Sequence, residues 1–148
     1  MNDRPRANAL FIDTTNSARS QMGQALLRYY AGDHFNTYSA GIEPQEIAPQ
    51  TFAVMEEIGV SMAGQKPEGV RTYLGQKHFG YVFTVCDYAL SQCPSAWLQA
   101  QHHMHWNIPD PLKVEGSEDE VLDAFRQARD ELDEHVRSWL ADKGIEIE

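Results

Sequence analysis

The chain has 148 residues, 42% of them hydrophobic, and a formal net charge of −10, enough for one domain with a substantial core. The acidic balance excludes nonspecific nucleic-acid binding and attraction to anionic membranes, and no apolar run approaches the length of a membrane span. Met1 to Asn8 is polar and basic without an apolar segment, so it reads as a short flexible lead rather than a signal peptide, with the domain over residues 9–148. Two cysteines without an export signal point to the reducing cytoplasm.

Ala9 to Ile12 is a continuous apolar run, the pattern of a strand buried on both faces of a parallel sheet. Thr14, Thr15, Asn16 and Ser17 are small, polar and suited to a turn or N-cap. From Arg19 a helical spacing follows, with Met22, Ala25, Leu26, Tyr29 and Tyr30 on one face and Gly32 as the stop. Asn36 to Ala40 reads as a second strand. Pro49 opens a helix with Phe52, Met55 and Ile58 inward, closed by Gly59. The β-branched and aromatic run Tyr81 to Val85 predicts a central strand, and Met104 to Trp106 a short fourth one. A last helix begins at Ser117 with Glu120 completing a capping box. Its apolar face runs Val121, Leu122, Phe125, Ala128, Leu132, Val136 and Trp139, and Gly144 ends it. Strand and helix patterns alternate without repeat or linker, which predicts a single α/β domain: a four-stranded parallel sheet with helices on both faces.

Ligands of such sheets bind at the carboxyl ends of the strands. Three features follow a predicted strand and therefore belong on that edge: the Asp13–Arg19 loop, Cys86 and Asp110. Amides at the first turn of the helix would point into the loop, with the positive end of the helix dipole behind them. Arg19 adds a planar fork that matches a tetrahedral oxyanion. Asp110 lies between Pro109 and Pro111, a stiff setting that aims its carboxyl group. His103 and His105 share one strand face, with His102 beside them, but no spaced third ligand accompanies them. Packing and exposure explain these histidines better than a metal, and no cofactor is implied. Cys86 and Cys93 would flank a short helix about 10 Å long, too far apart for a disulfide, which needs Cα atoms within about 7 Å. On the residues alone they read as two small buried hydrophobes.

The segment D-T-T-N-S-A-R-S-Q-M (Asp13 to Met22) resembles the phosphate-binding loop of the low-molecular-weight protein tyrosine phosphatases, and most closely that of the thioredoxin-coupled arsenate reductases. The family signature is C-T-G-N-S-x-R-S-Q-M. The resemblance extends through Tyr38-Ser39-Ala40-Gly41, Met55 to Gly59, Val85-Cys86-Asp87, Gln92-Cys93-Pro94, His105-Trp106, Pro109-Asp110-Pro111 and Phe125 to Glu131. It implies the phosphatase fold. It implies oxyanion binding by Thr14, Thr15, Asn16, Ser17, Ala18 and Arg19, with phosphate, arsenate or phosphotyrosine as ligand. It further implies Asp110 as general acid, Cys86 and Cys93 as a redox pair, and thioredoxin as partner. Two positions depart from the signature: the nucleophilic cysteine falls on Asp13, and the loop glycine on Thr15. The family's potassium-binding members carry acidic residues beside the loop; here those positions are Gln24 and Lys66, so the Lys66 ammonium is expected to replace the cation and order Asn16.

Asp13 alters the expected chemistry. A carboxylate is a weaker nucleophile than a thiolate toward phosphorus or arsenic. It also competes with the ligand: two unit charges about 4 Å apart cost roughly 4 kcal/mol at an effective dielectric near 20. The loop amides and Arg19 are expected to bond Asp13 and keep it ionised. Two classes of function stand open. One is an impaired member acting as a binding or regulatory module. The other is an active phosphatase or arsenate reductase using an unidentified nucleophile, Asp13 or Cys86.

Overall fold

The computed structural model describes residues 5–147. In chain order they form β1 (Ala7–Asp13), α1 (Arg19–Ala31), β2 (Phe35–Gly41), α2 (Pro49–Glu57), α3 (Val70–Tyr73), β3 (Tyr81–Thr84), α4 (Asp87–Gln92), α5 (Ser95–Leu98), β4 (His102–His105), a 3-10 turn at Pro111–Lys113, and α6 (Glu118–Asp142). The sheet has four strands in the order β2-β1-β3-β4, and every pairing is parallel. Among the described residues no helix is long and apolar enough to cross a membrane.

Alternation along the strands builds two cores. Ala9, Phe11 and Phe83 face α1, α2 and α6, where they meet Met22, Leu26, Val54, Phe125, Leu132 and Val136. Phe11 and Phe83 stack with ring centroids 4.4 Å apart. Leu10, Ile12 and Val82 face the other way, against Phe79, Cys86, Ala89, Cys93 and Trp97. The expected helices on both faces are therefore present. The chain leaves β1 for β2 on one side and later for β3 on the other, so the strand order reverses between β1 and β3 at their carboxyl ends. Crevices at such reversals are where α/β sheets hold ligands.

Several expectations need adjustment. Of the anticipated lead, residues 1–4 lie outside the described residues, and Ala7 and Asn8 already belong to β1, paired with Phe35 and Asn36. The fourth strand starts at His102, two residues before the predicted Met104, and Trp106 lies beyond it. Tyr29 is exposed. In α2, Thr51, Val54 and Met55 point inward, whereas Phe52 is 44% exposed and Ile58 40%. Steps of three residues drift around a 3.6-residue helix, and Ile58 has already left it at a non-helical backbone conformation. Gly59 closes this turn at φ 71, and Gly144 follows α6 at φ 75, the left-handed region that glycine enters without steric cost. The capping box of Ser117 and Glu120 forms in both directions.

A charged clasp ties α2 to α6. Glu57 takes Arg126 Nη2 at 2.7 Å and Arg129 Nη1 at 2.7 Å, while Arg129 Nη1 also reaches the Val54 carbonyl at 2.9 Å. Hydrogen bonds from Arg126 and then Arg129 pull the Glu57 carboxyl from 4.5 down to about 2. A carboxylate held below its unfolded value stabilises the fold above that value and loses this contribution as pH falls toward the folded one. Glu57→Gln is therefore expected to lower the denaturant midpoint at pH 7, and the gap from the parent chain should close as pH falls from 4.5 toward 2. Unchanged midpoints at pH 7 would show the clasp to be energetically idle.

Candidate functional site

The chain between β1 and α1 curls over the carboxyl end of β1. Its carbonyls point outward and are taken up by the segment after β2. Ile42, Glu43, Gln45 and Ala48 donate their amides to the carbonyls of Asp13, Thr14, Thr15 and Ser17 at 3.1, 2.7, 2.9 and 3.1 Å. Thr51 Oγ1 adds a bond to the Ser17 carbonyl at 2.8 Å. With its carbonyls bound outside, the loop turns amides toward its interior, the form of an anion-binding concavity. Among the described residues, the amides of Thr15, Ser17, Ala18 and Arg19 donate to no protein acceptor.

Asn16 sets this curvature. It is fully buried and has φ 55, a left-handed conformation that asparagine tolerates better than most residues. Its Nδ2 donates to Ser20 Oγ at 2.8 Å. Its Oδ1 accepts from Gln21 Nε2 at 2.8 Å and from the Glu68 amide at 2.8 Å. Gly41 makes room for the loop: a Cβ there would lie 2.6 Å from the Asn16 amide nitrogen. Lys66 does not perform the role expected of it. Its side chain is 77% exposed and pairs with Glu68 at 3.5 Å; the backbone carbonyl of Lys66, instead of its ammonium, receives Gln21 Nε2. Gln24 ties α1 to β2 through the Thr37 carbonyl and Ser39.

Asp13 lies inside the loop, 1% exposed. Its Oδ1 accepts the Asn16 amide at 2.5 Å and its Oδ2 the Ser20 amide at 2.9 Å. The second bond substitutes for a helix cap, since Ala18 at the N-cap has no side chain to offer. The expected bonds to loop amides are present, but Arg19 is turned elsewhere. Its Nη1 donates to the Ile108 carbonyl at 2.9 Å and its Nη2 pairs with Asp110 Oδ2 at 3.3 Å. Burial raises the Asp13 carboxyl above its ordinary value; the Ser20 amide, the Arg19 charge, the Ser20 hydroxyl and the Asn16 amide oppose this without cancelling it. Desolvation thus outweighs the hydrogen bonds that were expected to keep Asp13 ionised.

Asp110 also caps the following 3-10 turn, accepting the Leu112 amide at 3.0 Å. Cys86 caps α4 and accepts the Ala89 amide at 3.4 Å, with Sγ 3.4 Å from the Thr14 hydroxyl. Cys93 sits at the far end of α4, as a buried free thiol, and burial pushes it up to about 11. The structure therefore brings Asp13, Arg19, Asp110 and Cys86 to one edge of the sheet and leaves Cys93 beneath α4. His103 and His105 share a face and both approach Thr84 Oγ1, at 3.1 and 2.8 Å. His105 also meets Asp87 at 3.0 Å. Among the described residues no cluster of three or more His, Cys, Asp or Glu side chains is placed to hold a metal.

Sequence reasoning quoted Ser20, Gln21 and Gly41 within motifs without giving them a role, and did not single out Gln65. Gln21 is fully buried in the first turn of α1, and Gln65 Nε2 donates to its side-chain and backbone oxygens. A buried polar residue directly after a polar turn was the available signal. Asn16→Ala strands the partners on Ser20, Gln21 and Glu68 and is expected to lower stability by about 2–4 kcal/mol. Lys66→Met should stay within about 0.5 kcal/mol of the parent. Denaturant melts of the two variants check both, and a large loss in Lys66→Met would restore the ammonium to the loop.

A family model described as low molecular weight phosphotyrosine protein phosphatase matches residues 8–147. An arsenate reductase of Halalkalibacterium halodurans is 36% identical over 129 residues, 87% of this chain and 91% of the relative. A solved arsenate reductase in the phosphate-binding state superposes with a TM-score of 0.77 at 24% identity, covering 92% of this chain and 98% of that one. A thioredoxin-dependent arsenate reductase of Corynebacterium glutamicum superposes with a TM-score of 0.72 at 27% identity, covering 95% of this chain and 63% of that one.

Proposed function

The chain belongs to the low molecular weight phosphotyrosine protein phosphatase family, and on that premise we propose that it is an oxyanion-binding member whose loop holds Asp13 where its relatives hold a nucleophilic cysteine. Such a chain binds a tetrahedral oxyanion, as phosphate, arsenate or a phosphorylated side chain. It does not turn the oxyanion over by thiolate chemistry and acts as a binding or regulatory module. One observation carries this reading: both Asp13 oxygens are bonded to amides of the loop itself, through Asn16 and Ser20. These bonds pin the carboxyl group inside the loop it opens and fix its orientation there. The rest of the machinery supports oxyanion binding. Loop amides face inward, Arg19 is buried beside them, and Asp110 is held by Arg19 at the rim.

A second reading has one observation in its favour. The Cys86 sulfur lies against Thr14 of the loop, so an active enzyme would find its thiol there. Its weakness is that the same sulfur caps α4. A redox partnership of Cys86 with Cys93, and with a thioredoxin as in the Corynebacterium relative, would require α4 between them to unwind. The high Cys93 value keeps that thiol protonated while the helix is formed.

Hydrolysis of p-nitrophenyl phosphate and reduction of arsenate by the parent chain, Asp13→Cys, Asp13→Ala and Cys86→Ser test this. The expected outcome is no metal-free turnover by the parent and phosphatase turnover by Asp13→Cys. Turnover by the parent that disappears in Asp13→Ala or Cys86→Ser would overturn the proposal and identify the nucleophile.

A further inference from the structure

We propose that binding of an oxyanion in this loop takes up one proton, that the proton goes to the Asp13 carboxyl, and that it changes Asp13 from a charge repelling the ligand into a donor toward it. The inference rests on the reading of the loop as an oxyanion site and adds to it a pH-dependent control of that site. The geometry carries it. The Asp13 carboxylate is enclosed by the loop it opens and is bonded to the Asn16 and Ser20 amides. The remaining inward amides, of Thr15, Ser17, Ala18 and Arg19, belong to the same turn of chain. A ligand on those amides therefore shares a buried enclosure with a carboxylate, and each anion raises the cost of the other.

The charges around the enclosure do not offset this. Arg19 is the cation within it, and Asp110 already engages its Nη2. From β2 the loop meets Ser39, Ala40 and Gly41, which carry no charge. From α4 it meets the Cys86 thiol through Thr14, with Asp87 paired to His105 of β4 and His103 behind Thr84. Glu68 contributes its amide to Asn16 and its carboxylate to Lys66, and Glu43 accepts the Tyr88 hydroxyl. Asp13 and Asp110 thus stand against one arginine before any ligand arrives. Asp110 is already paired with Arg19 and lies at the rim with 15% exposure. Asp13 is the carboxylate that gains most by taking a proton. Once protonated, its O–H can donate to the Ser20 hydroxyl, which already accepts from Asn16, or to a ligand oxygen. Burial raises the proton affinity of Asp13 even without ligand. Linkage then works in both directions: whatever the ligand contributes to protonation, protonation returns to ligand affinity.

Sulfate is the probe, because it remains a dianion across the range and contributes no proton of its own. Calorimetric titration of the full chain with sodium sulfate, from pH 5.5 to 8.5 in pairs of buffers differing in ionisation enthalpy, counts the protons. Uptake is expected to rise to about one proton per sulfate toward pH 8, with affinity falling about tenfold per pH unit there. Asp13→Asn and Asp13→Ser should bind sulfate without this uptake. Sulfate binding by the parent with no uptake at any pH overturns the coupling and leaves the oxyanion reading standing. So does uptake that survives in both Asp13 variants, or binding seen only in those variants. Absence of sulfate binding by the parent and by every variant overturns the coupling and the oxyanion reading together. The proton count on the parent chain can overturn the coupling even if one variant fails to fold, and the second Asp13 variant then assigns the proton.

Discussion

The carboxyl edge of this sheet depends on the buried side chain of Asn16. Its side-chain amide joins the loop to the first turn of α1, through Ser20 and Gln21, and to the 65–68 segment, through the Glu68 amide, while its backbone amide holds the Asp13 carboxylate. All of its polar atoms are buried, so each bond counts as the avoided cost of an orphaned donor or acceptor. The left-handed backbone at Asn16 sets the curl of the loop, and Gly41 lets the end of β2 approach closely enough for the segment after it to bind the loop carbonyls. Without this arrangement the turn would be a capped strand-to-helix connection with no interior.

Having an interior creates an electrostatic problem. The amides and the start of α1 favour an anion there, and Asp13 supplies one covalently. Two amide bonds compensate only part of the cost of taking a carboxylate out of water, so its proton affinity rises. Arg19 does not neutralise it, because the guanidinium is committed to Ile108 and Asp110. On the proposed reading the loop joins two opposing preferences, for an external oxyanion and for its own carboxylate, and a proton is the simplest means of moving between them.

The second core has a separate logic. Cys86 and Cys93 mark the two ends of α4 and are both packed among Phe79, Ala89 and Trp97. The helix keeps the thiols apart and dry. One end of it is capped by the same sulfur that touches the oxyanion loop, so the two regions meet at Thr14 and Cys86. Any rearrangement of α4 would remove a contact from the loop. The His105–Asp87 pair fastens the first residue of α4 to β4 from the other side.

Local patterns made the α/β architecture, the parallel strands, the capping box at Ser117 and the loop itself legible, because strand runs, helical spacing and cap residues act over a few residues. Motifs carried the family, and topology then required Asp13, Arg19, Cys86 and Asp110 to lie on one edge. Sequence could not assign the partners of those residues. The burial of Asn16 and the diversion of Arg19 to Asp110 each depend on segments tens of residues away. The charge on Asp13 is the clearest case. The residue and its loop were readable in the chain, and local amides argued for an ionised carboxylate. Only the enclosing tertiary structure removes the water, and the loss of solvation exceeds what those amides return.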